Sequence, residues 1–165
     1  MLKSSKIARG GLYTALTFVI LYVCSVVPTN RLTLLVLSSA IIPLSIITIG
    51  VKYSFIVYLA SGILSLILGA KVPAIGYILL FGLYGFVKYY IEALRKVYLE
   101  IFLKLIFFSM SAAIIYYIYN LFAFSLDTNI SFNLLAILYL VFAAIYDYAL
   151  TIIINYINKK FKDRF

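Results

Sequence analysis

The chain has 165 residues, 66% of them hydrophobic and only 12% charged, with 14 Lys and Arg against 5 Asp and Glu, a formal charge of +9. A soluble fold of this size leaves too much of itself exposed to hide so apolar a composition, which excludes a water-soluble enzyme domain and predicts an integral membrane protein. With no His, no Trp and a single Cys, the chain also excludes an intrachain disulfide, a zinc site of His and Cys, and a nucleophile activated by His.

Crossing a bilayer takes about 20 apolar residues, and six such runs follow one another. The first covers Gly10 to Val27 and stops at Pro28-Thr29-Asn30-Arg31; the second covers Leu32 to Ile49 and ends at Gly50-Val51-Lys52. The third covers Tyr53 to Leu68 and closes at Gly69-Ala70-Lys71, and the fourth runs from Pro73 to about Ile91. The fifth runs from about Ile101 to Phe124 and the sixth from Phe132 to about Ile157. The expected fold is all-α: one integral membrane domain over residues 1–165, a bundle of six transmembrane helices. Lys3, Lys6 and Arg9 give the first run a basic leader. Its apolar stretch is longer than that of a signal peptide and no small-x-small cleavage site follows, so a retained helix is expected.

Six spans put both termini on one side, and positive charge says which. With the N-terminus cytoplasmic, the inner side holds Lys3, Lys6, Arg9, Lys52, Lys88, Arg95, Lys96, Lys104, Lys159, Lys160, Lys162 and Arg164, and the outer side only Arg31 and Lys71. The basic excess is then a topology device that favours anionic lipids, and nucleic acid is not an expected partner.

A charge inside a span is costly enough to require a reason. Asp147, in Ala143-Ala144-Ile145-Tyr146-Asp147-Tyr148, lies well inside the sixth run, and Lys88 and Lys104 lie near the inner ends of the fourth and fifth. Lys88 with Glu92, and Glu100 with Lys104, are four apart and share helix faces. An intramembrane cluster of Lys88, Glu92, Lys104 and Asp147 is expected. It reads either as a pin between helices or as a polar element that moves with a conformational change.

The outer side is polar without being highly charged. Thr29-Asn30-Arg31, Lys71, Asp127-Thr128-Asn129 with Ser131 and Asn133, and Asn120 near the outer end of the fifth run are candidates for the rim of an outward cavity. Tyr77, Tyr84 and Tyr139 are candidates for its walls. The candidate substrate-binding residues are therefore Asn30, Arg31, Lys71, Tyr77, Tyr84, Asn120, Asp127, Asn133 and Tyr139, each of which also suits ordinary interfacial chemistry. No catalytic or metal-binding residues and no cofactor are expected.

Small residues allow helices to approach in lipid. Gly11 and Ala15 form a small-xxx-small face on the first run, Ser61 and Ser65 narrow the third, and Gly82 and Gly85 narrow the fourth. Internal packing and docking of a partner helix both suit the Gly11/Ala15 face. The stretch Lys88 to Lys104 lacks Gly and Pro and alternates charged with apolar residues; it suits a helical extension along the membrane surface or a simple turn.

Six short spans, tight outer loops, a basic inner face and Gly11 with Ala15 resemble the substrate-binding membrane subunits of energy-coupling factor transporters, whose first helix carries an Ala-xxx-Ala motif; Gly11 stands where that family has Ala. Tyr77-Ile-Leu-Leu-Phe-Gly82-Leu-Tyr84-Gly85-Phe-Val-Lys88-Tyr-Tyr-Ile-Glu92 and Tyr146-Asp147 look like small bacterial membrane proteins of that type. The resemblance implies capture of a vitamin or precursor on the outer face. It implies docking through helix one onto a coupling transmembrane subunit that carries two ATPase subunits, in a prokaryotic plasma membrane. The chain itself has no Gly-x-x-x-x-Gly-Lys-Ser/Thr loop, so no ATPase activity of its own is expected. Without His, a small organic ligand suits it better than nickel or cobalt. A different class, the non-transporting membrane scaffold of cell-envelope synthesis, has similar size and span count; it predicts a closed, greasy outer half and a partner along the lipid face.

Overall fold

The computed structural model describes residues 3–27, 29–94, 96–121 and 132–162. Every regular element among them is helical. In chain order these are α1 (Lys3–Val26), α2 (Arg31–Ile49), α3 (Val51–Ile67), α4 (Lys71–Glu92), α5 (Val97–Leu121) and α6 (Phe132–Lys162). Five of them, all but α3, are long and apolar enough to cross a bilayer. At 17 residues α3 is about 25 Å long, slightly short of a hydrocarbon core of about 30 Å. Large apolar side chains such as Leu12, Val19, Ile56, Ile67, Phe102 and Ile145 lie exposed along these helices. A helical bundle in a bilayer accommodates such a surface, because every helix satisfies its own backbone.

The six apolar runs coincide with the six helices, and the differences lie at their ends. The basic leader of the first run is helical from Lys3, and α5 begins at Val97, a turn before the expected Ile101. Only residues 93–96 separate α4 from α5, with Leu94 N–H bonded to Ile91 O at 3.1 Å. Most of the Lys88–Lys104 stretch therefore belongs to the end of α4 and the start of α5.

The chain divides into two compact units, residues 1–90 with 153–165 and residues 91–152. In the first, α1 packs on α2 and α3, α2 packs on α3, and α4 lies against all three. Its core holds Leu21 and Cys24 of α1, Ile41, Ile42, Ile46 and Ile49 of α2, Val57 and Tyr58 of α3, and Tyr77, Phe81 and Tyr84 of α4. Hydroxyls in this interior largely bond to their own helix: Ser38 donates to Leu35 O at 2.7 Å, Ser45 to Ile42 O at 2.8 Å, and Ser54 to Gly50 O at 3.0 Å. That removes the cost of burying them where water is absent. Side-chain bonds also cross between α1 and α2. Thr48 donates to the Tyr13 hydroxyl at 3.0 Å, and the Cys24 thiol donates to Arg31 O at 3.5 Å.

Glycine makes the joint that places α4. Gly69 has φ +92°, and past it Ala70 N–H reaches back to Ser65 O at 2.9 Å. This is the left-handed helix stop that turns α3 into α4 within three residues. Gly69→Ala should lower the thermal unfolding midpoint in mild detergent by about 3–5 °C, the effect of a left-handed Cβ worth about 1–2 kcal/mol.

The feature of α4 that its sequence did not announce is a π-turn. Residues Tyr77–Phe81 are wound more widely than the α-helical segments Lys71–Gly76 and Gly82–Glu92 on either side, and Gly82 N–H bonds to Tyr77 O five residues back. α2 is interrupted too, by Pro43, which cannot donate to the carbonyl four residues before it.

Candidate functional site

Two polar constructions stand out, one in each unit. In the second unit, the Lys104 ammonium of α5 sits 2.6 Å from Glu100 Oε1 one turn earlier, 2.9 Å from Asp147 Oδ2 of α6, and 3.7 Å from Glu92 Oε1 at the end of α4. A lysine carries three N–H donors, and here three carboxylates face it. The sites are shielded without being sealed: the Lys104 side chain is 12% exposed and that of Asp147 22%. Lys104, one of the two cations expected for Asp147, meets it directly. Lys88 belongs to the first unit, where it is fully buried with its ammonium 6.0 Å from the Tyr84 ring centroid. Glu100, named in the sequence only as the i–4 partner of Lys104, is the shortest contact in the cluster.

Farther along the same pair of helices, the Ser111 and Tyr139 hydroxyls are 2.7 Å apart, and the Tyr139 ring meets Phe108 edge-on at 6.5 Å. These contacts hold α5 to α6 by geometry that hydrocarbon strengthens, since no water competes for the hydroxyls.

In the first unit, the polar construction surrounds the π-turn. The Tyr58 hydroxyl of α3 donates to Ile78 O, inside the turn, at 2.7 Å, and Ser61 donates to the Tyr77 hydroxyl at 3.2 Å. The Tyr58 ring lies 5.8 Å from that of Tyr77 and 5.7 Å, edge-on, from that of Phe86. Two glycines permit this approach. A Cβ on Gly62 would stand 2.8 Å from Ile78 Cγ1, and one on Gly82 would stand 2.8 Å from Tyr58 Cδ2 and 2.9 Å from Tyr77 Cζ. One turn beyond Ser61 on the same face of α3, the Ser65 hydroxyl is fully buried and has no hydrogen-bond partner.

The chain matches no protein-family model, no curated protein and no solved structure.

Of the nine candidate ligand residues, the structure describes the side chains of six. Asn30, Arg31 and Lys71 are exposed at helix starts, Asn30 in the left-handed conformation at φ 64°. Tyr77 and Tyr84 are fully enclosed in the first unit, and Tyr139 belongs to the second. Asn120 and Asn133 lie in α5 and α6 with side chains outside the described residues, and Asp127 is wholly outside them. The candidate docking pair is open: Gly11 and Ala15 are both exposed, and a Cβ on Gly11 would meet nothing within 4 Å. Internal packing of α1 uses another face, that of Gly10, Thr17, Leu21 and Cys24.

Sequence reasoning missed Tyr58 and the π-turn. The available signal was the pair Gly76 and Gly82 bracketing Tyr-Ile-Leu-Leu-Phe, with Tyr58 three residues before Ser61. Neither spacing is specific without the helices in contact.

Proposed function

We propose that this chain is the membrane-embedded substrate-capture subunit of an ATP-driven micronutrient uptake transporter, with six spans, both termini in the cytoplasm and no ATPase of its own. The observation that carries the reading is the vacant Gly11/Ala15 face of α1. Within the described residues of its own unit its small residues are not consumed by packing, and close helix approach in lipid depends on such residues. The fitting occupant is a helix of a coupling transmembrane subunit that carries two ATPase subunits. The ligand is a small organic molecule, a vitamin or precursor, and the membrane a prokaryotic plasma membrane whose anionic lipids the inner basic residues favour.

A second reading, the non-transporting scaffold of cell-envelope synthesis, draws support from the enclosure of Tyr77 and Tyr84, which leaves those two rings off any open wall. The transporter reading docks its partner on α1, the scaffold reading along the lipid face, and they differ in what docks. Purification from the native host in mild detergent, with mass spectrometry of the co-purifying proteins, separates them. Paired ATPases with a larger membrane protein support the transporter; cell-envelope enzymes, or no partner, overturn it in favour of the scaffold.

Gly11→Leu with Ala15→Leu should cut recovery of the complex about tenfold, with the unfolding midpoint within about 2 °C of wild type because both sites are open. Undiminished recovery would remove α1 as the docking face.

A further inference from the structure

We infer that α4 is a two-register helix: the π-turn Tyr77–Phe81 is one extra residue held in place by the hydroxyls of Tyr58 and Ser61, and releasing it turns the outer segment Lys71–Gly76 relative to the inner segment Gly82–Glu92. A π-turn spends one more residue per turn than an α-helix and is uncommon without local support. Here the support is specific and comes from one face of α3. Tyr58 donates to a backbone carbonyl within the turn, Ser61 holds the Tyr77 hydroxyl, and the missing Cβ of Gly62 admits Ile78.

Two registers are accessible because both boundaries of the turn are already helical, Gly76 at φ −59°, ψ −41° and Gly82 at φ −75°, ψ −42°. In an uninterrupted α-helix Tyr77 and Tyr84, seven apart, share a face. The extra residue offsets them by about 100°, the angle of one residue in a helix with about 3.6 per turn. The inner segment is the fixed part: Gly85 lies against Ile42 and Pro43, where a Cβ would stand 2.9 and 3.2 Å from their atoms, and Lys88 and Tyr84 are fully buried. The outer segment is the part that turns. It is six residues long, follows Gly69 at φ +92°, and carries exposed Lys71 at its start; Pro73 and Ala74 are buried, so turning it re-packs their face against the first three helices. The unpartnered hydroxyl of Ser65, one turn outward from Ser61 on the same face of α3, is a buried polar group that the present register leaves unused. The device couples the outer end of α4 to its interior whether the chain captures a solute or serves as a scaffold.

The test uses the full-length protein in lipid nanodiscs, with Cys24→Ala and spin labels on Val72→Cys and Tyr89→Cys, two exposed positions on opposite sides of the turn. Pulsed electron resonance should give one dominant distance for the otherwise wild-type chain. Tyr58→Phe should add a second population shifted by about 3 Å or more, the scale of a 100° turn of a helix about 10 Å across. Deletion of Leu79 removes the extra residue; the chain should fold, keep one distance near wild type, and show no second population when Tyr58→Phe is added. A single unchanged distance in Tyr58→Phe overturns the proposal, as does a Leu79 deletion that cannot fold or that retains two populations. Should Tyr58→Phe itself fail to fold, Ser61→Ala releases the turn from its other side and is judged by the same distances.

Discussion

Lys104→Met should lower the thermal unfolding midpoint in mild detergent by about 10 °C, a loss of roughly 3–5 kcal/mol. The size follows from what is left behind. Removing the ammonium brings together Glu92, Glu100 and Asp147, the first 3.7 Å and the others within 2.9 Å of the vacated nitrogen, with hydrocarbon-facing helices around them. Three carboxylates without their cation must take up protons or separate, and either loosens the α5–α6 pairing. Asp147→Asn should cost much less, about 1 kcal/mol, because an amide oxygen still accepts from Lys104 and the Glu100 contact at 2.6 Å remains. The pair of variants separates a structural pin from a moving element. A midpoint within about 2 °C of wild type for Lys104→Met would dismiss the pin. Loss of uptake in Asp147→Asn at unchanged stability would assign the cluster to function.

The second large effect is expected at Gly82. Gly82→Ala should destabilise the protein by about 2–3 kcal/mol, or about 6–8 °C, although alanine is the better helix former. The added carbon would stand 2.8 and 2.9 Å from Tyr58 ring carbons and 2.9 Å from Tyr77 Cζ. Neither ring can yield freely: Tyr58 is tied to Ile78 O, Tyr77 to Ser61, and both are enclosed. Gly11→Ala is the matched control, a helical glycine with open space where the carbon would go, and should be neutral or stabilising by up to about 1 kcal/mol. Equal midpoints for the two variants would mean that the ring packing around the π-turn is not what limits stability.

The Lys104 cluster shows how far the residues themselves lead. Glu100 and Lys104 are one turn apart, so their pairing is local and readable; Asp147 lies 43 positions beyond Lys104, and the cost of a carboxylate within a span left Lys88 and Lys104 as its candidate cations without choosing between them. Tyr77 shows the opposite. An amphipathic ring within an apolar helix suits a cavity wall and a packed core equally, and it is buried because Gly82 and Gly62 let α3 close over it.

Composition and hydropathy alone determined the helical class and the apolar segments that become helices, because each depends only on local length and on the cost of placing polar groups in hydrocarbon. Tertiary structure alone decided the π-turn, the role of Tyr58, the enclosure of Tyr77 and Tyr84, and the exposure of Gly11 and Ala15 on the first unit. These depend on which helix faces meet. In lipid that choice is made by steric fit between small and large side chains, a property of pairs of helices that no single segment encodes.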